Sequence, residues 1–124
     1  MENKKILFVE DSPTMRRIIA NSLSKLGISD VTEAENGVDA LEKIQKETYD
    51  MILTDWNMPE MNGKELVEHV RKMDNYKDVP ILMITTRGME DDVMTAIKTG
   101  VNGYVVKPFT PELLKKKMLE IFTS

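Results

Sequence analysis

Five short apolar runs punctuate the chain: KILFV (residues 5–9), VTEA (31–34), MILT (51–54), ILMIT (81–85) and GYVV (103–106). Three of them are apolar almost throughout, the pattern of strands covered on both faces rather than half exposed to water. Between the runs the apolar positions change rhythm. Met15, Ile18, Ile19, Leu23 and Leu26 recur at helical spacing, introduced by Ser12-Pro13 and closed by Gly27. These supply an N-cap, a proline in the first turn and a glycine at the C-terminal end. Val38, Leu41 and Ile44 form a second stripe, Leu66, Val70 and Met73 a third, and Val93, Met94 and Ile97 a fourth that stops at Gly100. A last helix opens at Thr110-Pro111-Glu112 and carries Leu114, Met118, Ile121 and Phe122.

This is a strand–helix unit repeated five times. Strict alternation predicts an α/β fold with a five-stranded parallel sheet and helices on both faces, because each parallel pair needs a crossover. A closed eightfold barrel would need about twice this length. No linker or repeat interrupts the pattern, so one domain is expected over residues 1–124.

Composition narrows the function. The 124 residues are 41% hydrophobic and 31% charged, ordinary for a globular protein. Seventeen basic against 21 acidic residues give a net charge of −4, which argues against nucleic acid as a partner, since phosphate binding needs a basic footprint. Without cysteine there are no disulfides and no thiolate metal sites. No stretch approaches the roughly 20 apolar residues that span a bilayer, and the N-terminal run is too brief for a signal peptide. A cytoplasmic monomer without membrane insertion is the expectation.

In open α/β sheets, ligands bind beyond the carboxyl ends of the strands, where strand order reverses. The residues that follow the runs therefore matter most. Glu10 and Asp11 follow the first, Asp55 the third, Thr85 and Thr86 close the fourth, and Lys107 follows the fifth. Taken singly, each has a plainer explanation: loops are wet, threonines suit strands, and a lysine after a strand is usually solvated. Together they hold what phosphoryl transfer to a carboxylate requires. Clustered acids repel unless a divalent cation neutralises them, and all-oxygen ligands suit Mg²⁺. An ionised Asp can accept the group, Lys can hold a phosphate oxygen, and Thr can donate a hydrogen bond.

FVEDSPTMRRI, LTDWNMPEMNG, LMITT and GYVVKPFTPELL, in this order and spacing, resemble the response-regulator receiver domain, and within it the chemotaxis regulators. The resemblance runs from the first strand through the last helix. It implies the flavodoxin-like (βα)5 fold with strand order 2-1-3-4-5. It implies Asp55 as phosphoacceptor, Asp11, Asp55 and the Asn57 carbonyl as Mg²⁺ ligands, and Glu10 as an outer acid acting through water. It further implies Thr85 as the hydroxyl that turns toward the phosphoryl group, Lys107 as the phosphate-holding lysine, Tyr104 as the aromatic switch, and a cis Lys107-Pro108 bond. Two departures stand out. Chemotaxis members commonly carry two Asp where this chain has Glu10-Asp11, and Thr86-Arg87 replace a smaller residue and an acid. Arg87 bears on the access of water to the acyl phosphate.

The remaining conspicuous residues have simpler roles. Met51, Met83, Met94 and Met118 are expected in the core, and Met58 and Met61 partly exposed beside the acceptor loop. Trp56, the only tryptophan, should report on the site. His69 is expected on the surface of the third helix. Glu90, Asp91 and Asp92 suit the positive end of the fourth helix. Lys115, Lys116 and Lys117 form a solvated face. Lys98, Tyr104 and Lys115 contribute to the face where partners of such domains dock.

The implied function is a phosphorylation-activated signalling switch, not an enzyme in the turnover sense. Its expected partners are a histidine kinase, the flagellar motor switch, since no output domain follows residue 124, and a possible phosphatase. The rival readings are a single-domain phosphorelay receiver and an aspartyl-phosphate phosphatase. The second would place a D-x-D pair after the first strand, where this chain has adjacent acids. A flavodoxin-like cofactor binder would need a Ser/Thr-rich phosphate loop after that strand.

Overall fold

The computed structural model describes residues 3–58, 60–86 and 90–123, apart from the side chains of residues 90–92, 122 and 123. Strands β1 (Ile6–Val9), β2 (Val31–Ala34), β3 (Met51–Asp55), β4 (Ile81–Thr85) and β5 (Gly103–Val106) alternate with helices α1 (Pro13–Lys25), α2 (Gly37–Lys46), α3 (Gly63–Arg71), α4 (Glu90–Thr99) and α5 (Pro111–Thr123). A short 3₁₀ turn, Asp74–Tyr76, follows α3. All strand pairs are parallel, in the order β2-β1-β3-β4-β5.

The alternation of side chains along each strand divides the core in two. Leu7, Val9 and Ile52 face Ala40, Ile44, Leu66, Val70 and Ala96, contributed by α2, α3 and α4. Ile6, Phe8, Met51 and Leu53 face Ile19, Leu23, Leu114, Met118 and Ile121, contributed by α1 and α5. Strands covered on both sides must be apolar at nearly every position, and β1, β3 and β4 are buried throughout.

Local signals set the helix ends. The Ser12 hydroxyl accepts the Met15 N–H at 3.3 Å, and Pro13 follows at the first helical position. Asn62 and Glu65 form a reciprocal capping box on α3. Thr110 accepts the Leu113 N–H at 3.1 Å at the start of α5. Gly27, at φ 80°, ends α1 in the left-handed conformation that costs glycine nothing.

The helical stripes are narrower than their spacing suggests. Ile18 and Val38 are exposed at the margins of theirs. On α4 the expectation for Met94 and Ile97 is corrected: they are 47% and 56% exposed, and among the described side chains of this helix the small Ala96 is the fully buried one. Period 3.6 identifies a helix, but a small residue can make the contact while larger neighbours stay outside. Met58 is buried, not partly exposed, and Met61 is half-buried. Met51, Met83 and Met118 are core residues, and His69 is exposed. The expectations for Arg87 and for the side chains of Glu90, Asp91 and Asp92 lie outside the described residues.

Candidate phosphoacceptor and metal site

The sheet order reverses beside β1: β2 lies on one side and β3 on the other. After β1 the chain turns to α1 on one face, and after β3 it turns toward α3 on the opposite face. The two loops diverge and leave a crevice above the strand ends. Val9 pairs with Thr54, so the next residues, Glu10 and Asp55, stand level at that crevice.

Carboxylate oxygens of Glu10, Asp11 and Asp55 lie within 4.8 Å of one another. Glu10 and Asp55 are buried, whereas Asp11 is exposed. Lys107 arrives from the end of β5, where its N–H donates to the Thr85 carbonyl at 2.7 Å and its peptide bond to Pro108 is cis. Its Nζ donates to Glu10 Oε1 at 2.7 Å and stands 3.5 Å from Asp55 Oδ1. The second oxygen of Glu10, Oε2, accepts the Ser12 N–H at 3.1 Å. The buried acids Glu10 and Asp55 thus share Lys107, and the exposed Asp11 stands beside them.

The balance shows in Asp55. Its carboxyl titrates at about 6 instead of 3.8, chiefly because burial disfavours the charged form and secondly because Glu10 repels it. Lys107 and the Trp56 N–H, which donates to Oδ1 at 2.8 Å, pull the other way without winning. All donors here are hard oxygens, and the exposed acid leaves the cluster open to water. Mg²⁺ takes such a set and keeps several waters. The residues fit that ion.

Thr85 is buried at the end of β4, the strand beside Asp55. Met83 pairs with Tyr104, so Tyr104 and Thr85 occupy the same face of the sheet on neighbouring strands. Tyr104 is half-buried, with Lys117 Nζ 5.7 Å from its ring centroid. Asn57 is exposed two residues beyond Asp55. Lys98 and Lys115 are exposed on α4 and α5. Glu10, Asp11 and Asp55 therefore form one carboxylate cluster with Lys107 paired to two of them, while Thr85 closes the strand beside Asp55, Asn57 follows two residues beyond it, and Tyr104 lies on β5 on the same face as Thr85.

Three supporting residues escape a reading based on position after the strands. The Thr54 hydroxyl donates to the Asp55 carbonyl at 2.9 Å. Gly63 donates its N–H to the Trp56 carbonyl at 2.9 Å, and a Cβ there would lie 2.5 Å from the Asp55 carbonyl oxygen. Arg16 Nη1 donates to the Glu10 carbonyl at 2.8 Å. The available signals were slight: a glycine directly behind a capping Asn, and an arginine one turn into α1.

A family model for the response regulator receiver domain matches residues 6–119. The chain belongs to this family. It is 57% identical to the chemotaxis protein CheY1 of Helicobacter pylori over 115 residues, covering 92% of this chain and 93% of that protein. It superposes on the chemotaxis protein CheY4 of Vibrio cholerae with a TM-score of 0.90 at 39% identity, over 95% of this chain and 98% of that one. The receiver domain of a Pseudomonas aeruginosa sensor histidine kinase, solved with a magnesium ion coordinated in its active-site cleft, matches with a TM-score of 0.88 at 30% identity, over 98% of each chain. This receiver domain is thus of the chemotaxis response-regulator type, a phosphoacceptor signalling protein rather than a turnover enzyme. Among the described residues no helix is long and apolar enough to cross a membrane.

Proposed function

We propose that Asp55 accepts a phosphoryl group from the phosphohistidine of a partner kinase, and that the resulting switch acts on the flagellar motor. The observation that carries this reading is the meeting of Glu10, Asp11 and Asp55 with Lys107 at the switch point of the sheet. Asp11, Asp55 and the Asn57 carbonyl would hold Mg²⁺, with Glu10 acting through water. When bound, the ion neutralises the acids and the charge on the transferring group.

The protein's own groups supply the rest. A carboxylate oxygen of Asp55 attacks phosphorus while the P–N bond breaks. The electron pair stays on the imidazole, which takes up a proton, and a mixed anhydride remains on Asp55. Lys107 Nζ, 3.5 Å from Asp55, exchanges its Glu10 contact for a phosphoryl oxygen with little movement. The Thr85 hydroxyl turns to a second phosphoryl oxygen, and Tyr104 packs inward behind it. This biases an existing equilibrium toward a partner-binding surface that includes α4 and α5.

The names of the chemotaxis relatives favour the motor over a phosphorelay. The test is a small-molecule phosphodonor with Mg²⁺, read by intact mass and Trp56 fluorescence. One phosphoryl adduct is expected, dependent on Mg²⁺ and absent in Asp55→Asn; an adduct that survives the substitution refutes the reading. Capture of the motor switch protein that strengthens on phosphorylation supports the motor, and exclusive transfer to another histidine supports a relay.

A further inference from the structure

We infer that Arg16 is a positioning residue for the metal-binding acid Asp11, an inference that rests on the Mg²⁺ site proposed above. Asp11 stands between two fixed points. On one side is the Glu10 peptide at the end of β1; on the other is Ser12, the N-cap of α1. The Ser12 hydroxyl is held by the Met15 N–H and its own N–H by Glu10 Oε2. The Glu10 N–H donates to the Ala34 carbonyl at 3.0 Å. What remains is the plane of the peptide joining Glu10 to Asp11. That plane is rigid, so holding the carbonyl oxygen of Glu10 also orients the N–H and Cα of Asp11.

Arg16 provides that hold. Its Nη1 donates to the Glu10 carbonyl at 2.8 Å from a side chain only 21% exposed. Its own backbone N–H is bonded to the Ser12 carbonyl, so the guanidinium is anchored in the first turn of the helix that follows the loop. Arg16 Nε lies 3.8 Å from Glu33 Oε1 on the edge strand, a half-exposed contact that stabilises little but orients the fork. Arg16 therefore ties α1, β1 and β2 around the short loop, Glu10 to Ser12, that carries Asp11.

The sign of the effect separates this role from simple charge. A nearby cation repels Mg²⁺, so loss of charge alone would tighten metal binding. Loss of a residue that orients a metal ligand weakens it, typically by 10- to 100-fold.

The experiment is a Mg²⁺ titration of the full chain, read by Trp56 fluorescence, for wild type, Arg16→Met, Arg16→Lys and Asp11→Ala, with thermal unfolding of each to confirm the folded state. Arg16→Met is expected to raise the Mg²⁺ Kd about tenfold. Arg16→Lys keeps the charge and one donor, and its Kd should fall between those of Arg16→Met and wild type. An unchanged or lower Kd in Arg16→Met, or in Arg16→Lys should the first variant not fold, overturns the inference while Asp11→Ala still loses the metal. If Asp11→Ala itself titrates like wild type, the metal site fails, and with it the role of Arg16.

Discussion

Lys107 and Glu10, 97 residues apart, form a 2.7 Å ion pair with side chains only 9% and 2% exposed. Removing one partner of such a pair leaves the other charged and desolvated, which costs more than the pair itself contributes. Lys107 also partly compensates Asp55. Lys107→Met is therefore expected to lower the stability of the metal-free protein at neutral pH by about 3 kcal/mol. Urea unfolding checks this. The deficit should shrink in acid, where the carboxylates protonate, and a constant deficit across pH would contradict the account.

Asp55 gives a pH dependence of definite sign. Its folded carboxyl keeps its proton up to about pH 6, against 3.8 for the ordinary group. Between those values the folded state binds more protons than the unfolded one, so stability falls as the pH rises through that window. Above it, the cost of holding Asp55 ionised persists. Asp55→Asn removes that cost and should stabilise the metal-free protein by about 1–3 kcal/mol near neutrality, the upper end corresponding to the full shift. The difference should disappear as the pH falls from about 6 toward 4, and an Asn variant less stable than wild type at pH 7 would refute it.

What the sequence revealed follows from the kind of order each feature has. The strands were legible because burial on both faces makes continuous apolar runs, and β4 lies at residues 81–85 as its run predicts. The gathering of Glu10, Asp11, Asp55 and Lys107 was legible because this architecture collects whatever follows each strand at one edge. The partner of Glu10 was not legible, since its choice of Lys107 depends on how β1 and β5 are spaced across the sheet. Nor was the turn of α4, where Ala96 enters the core and Ile97 does not. Spacing gives a helix its face, and the neighbouring surface decides which residues touch.

Gly63 is a case where absence of a side chain is required by proximity. A Cβ would come within 2.5 Å of the Asp55 carbonyl oxygen and 2.9 Å of Trp56 Cα, and both are backbone atoms that cannot swing aside. Gly63→Ala must push α3 away from β3 or displace the acceptor backbone. The expected loss is about 2–3 kcal/mol by urea unfolding, together with slower phosphoryl acceptance by Asp55. A variant with wild-type stability and a wild-type rate would show that the loop relaxes freely.

The two neighbouring acids should respond differently to substitution. Glu10 is buried, with one oxygen on Lys107 and the other on the Ser12 N–H. Asp11 is exposed and within 4.8 Å of the other two acids. If both bound the ion in the same way, their substitutions would weaken Mg²⁺ binding alike. Because Glu10 is already committed to protein donors, Glu10→Asp should change the Mg²⁺ Kd only modestly, within about threefold, while Asp11→Ala should abolish saturable binding in the millimolar range. Mg²⁺ also stabilises whatever it binds, by about 2.7 kcal/mol at a hundred times Kd. The thermal midpoint should accordingly rise with Mg²⁺ in wild type and Glu10→Asp and stay flat in Asp11→Ala. Equal losses in both variants would mean that Glu10 leaves Lys107 to coordinate the ion directly.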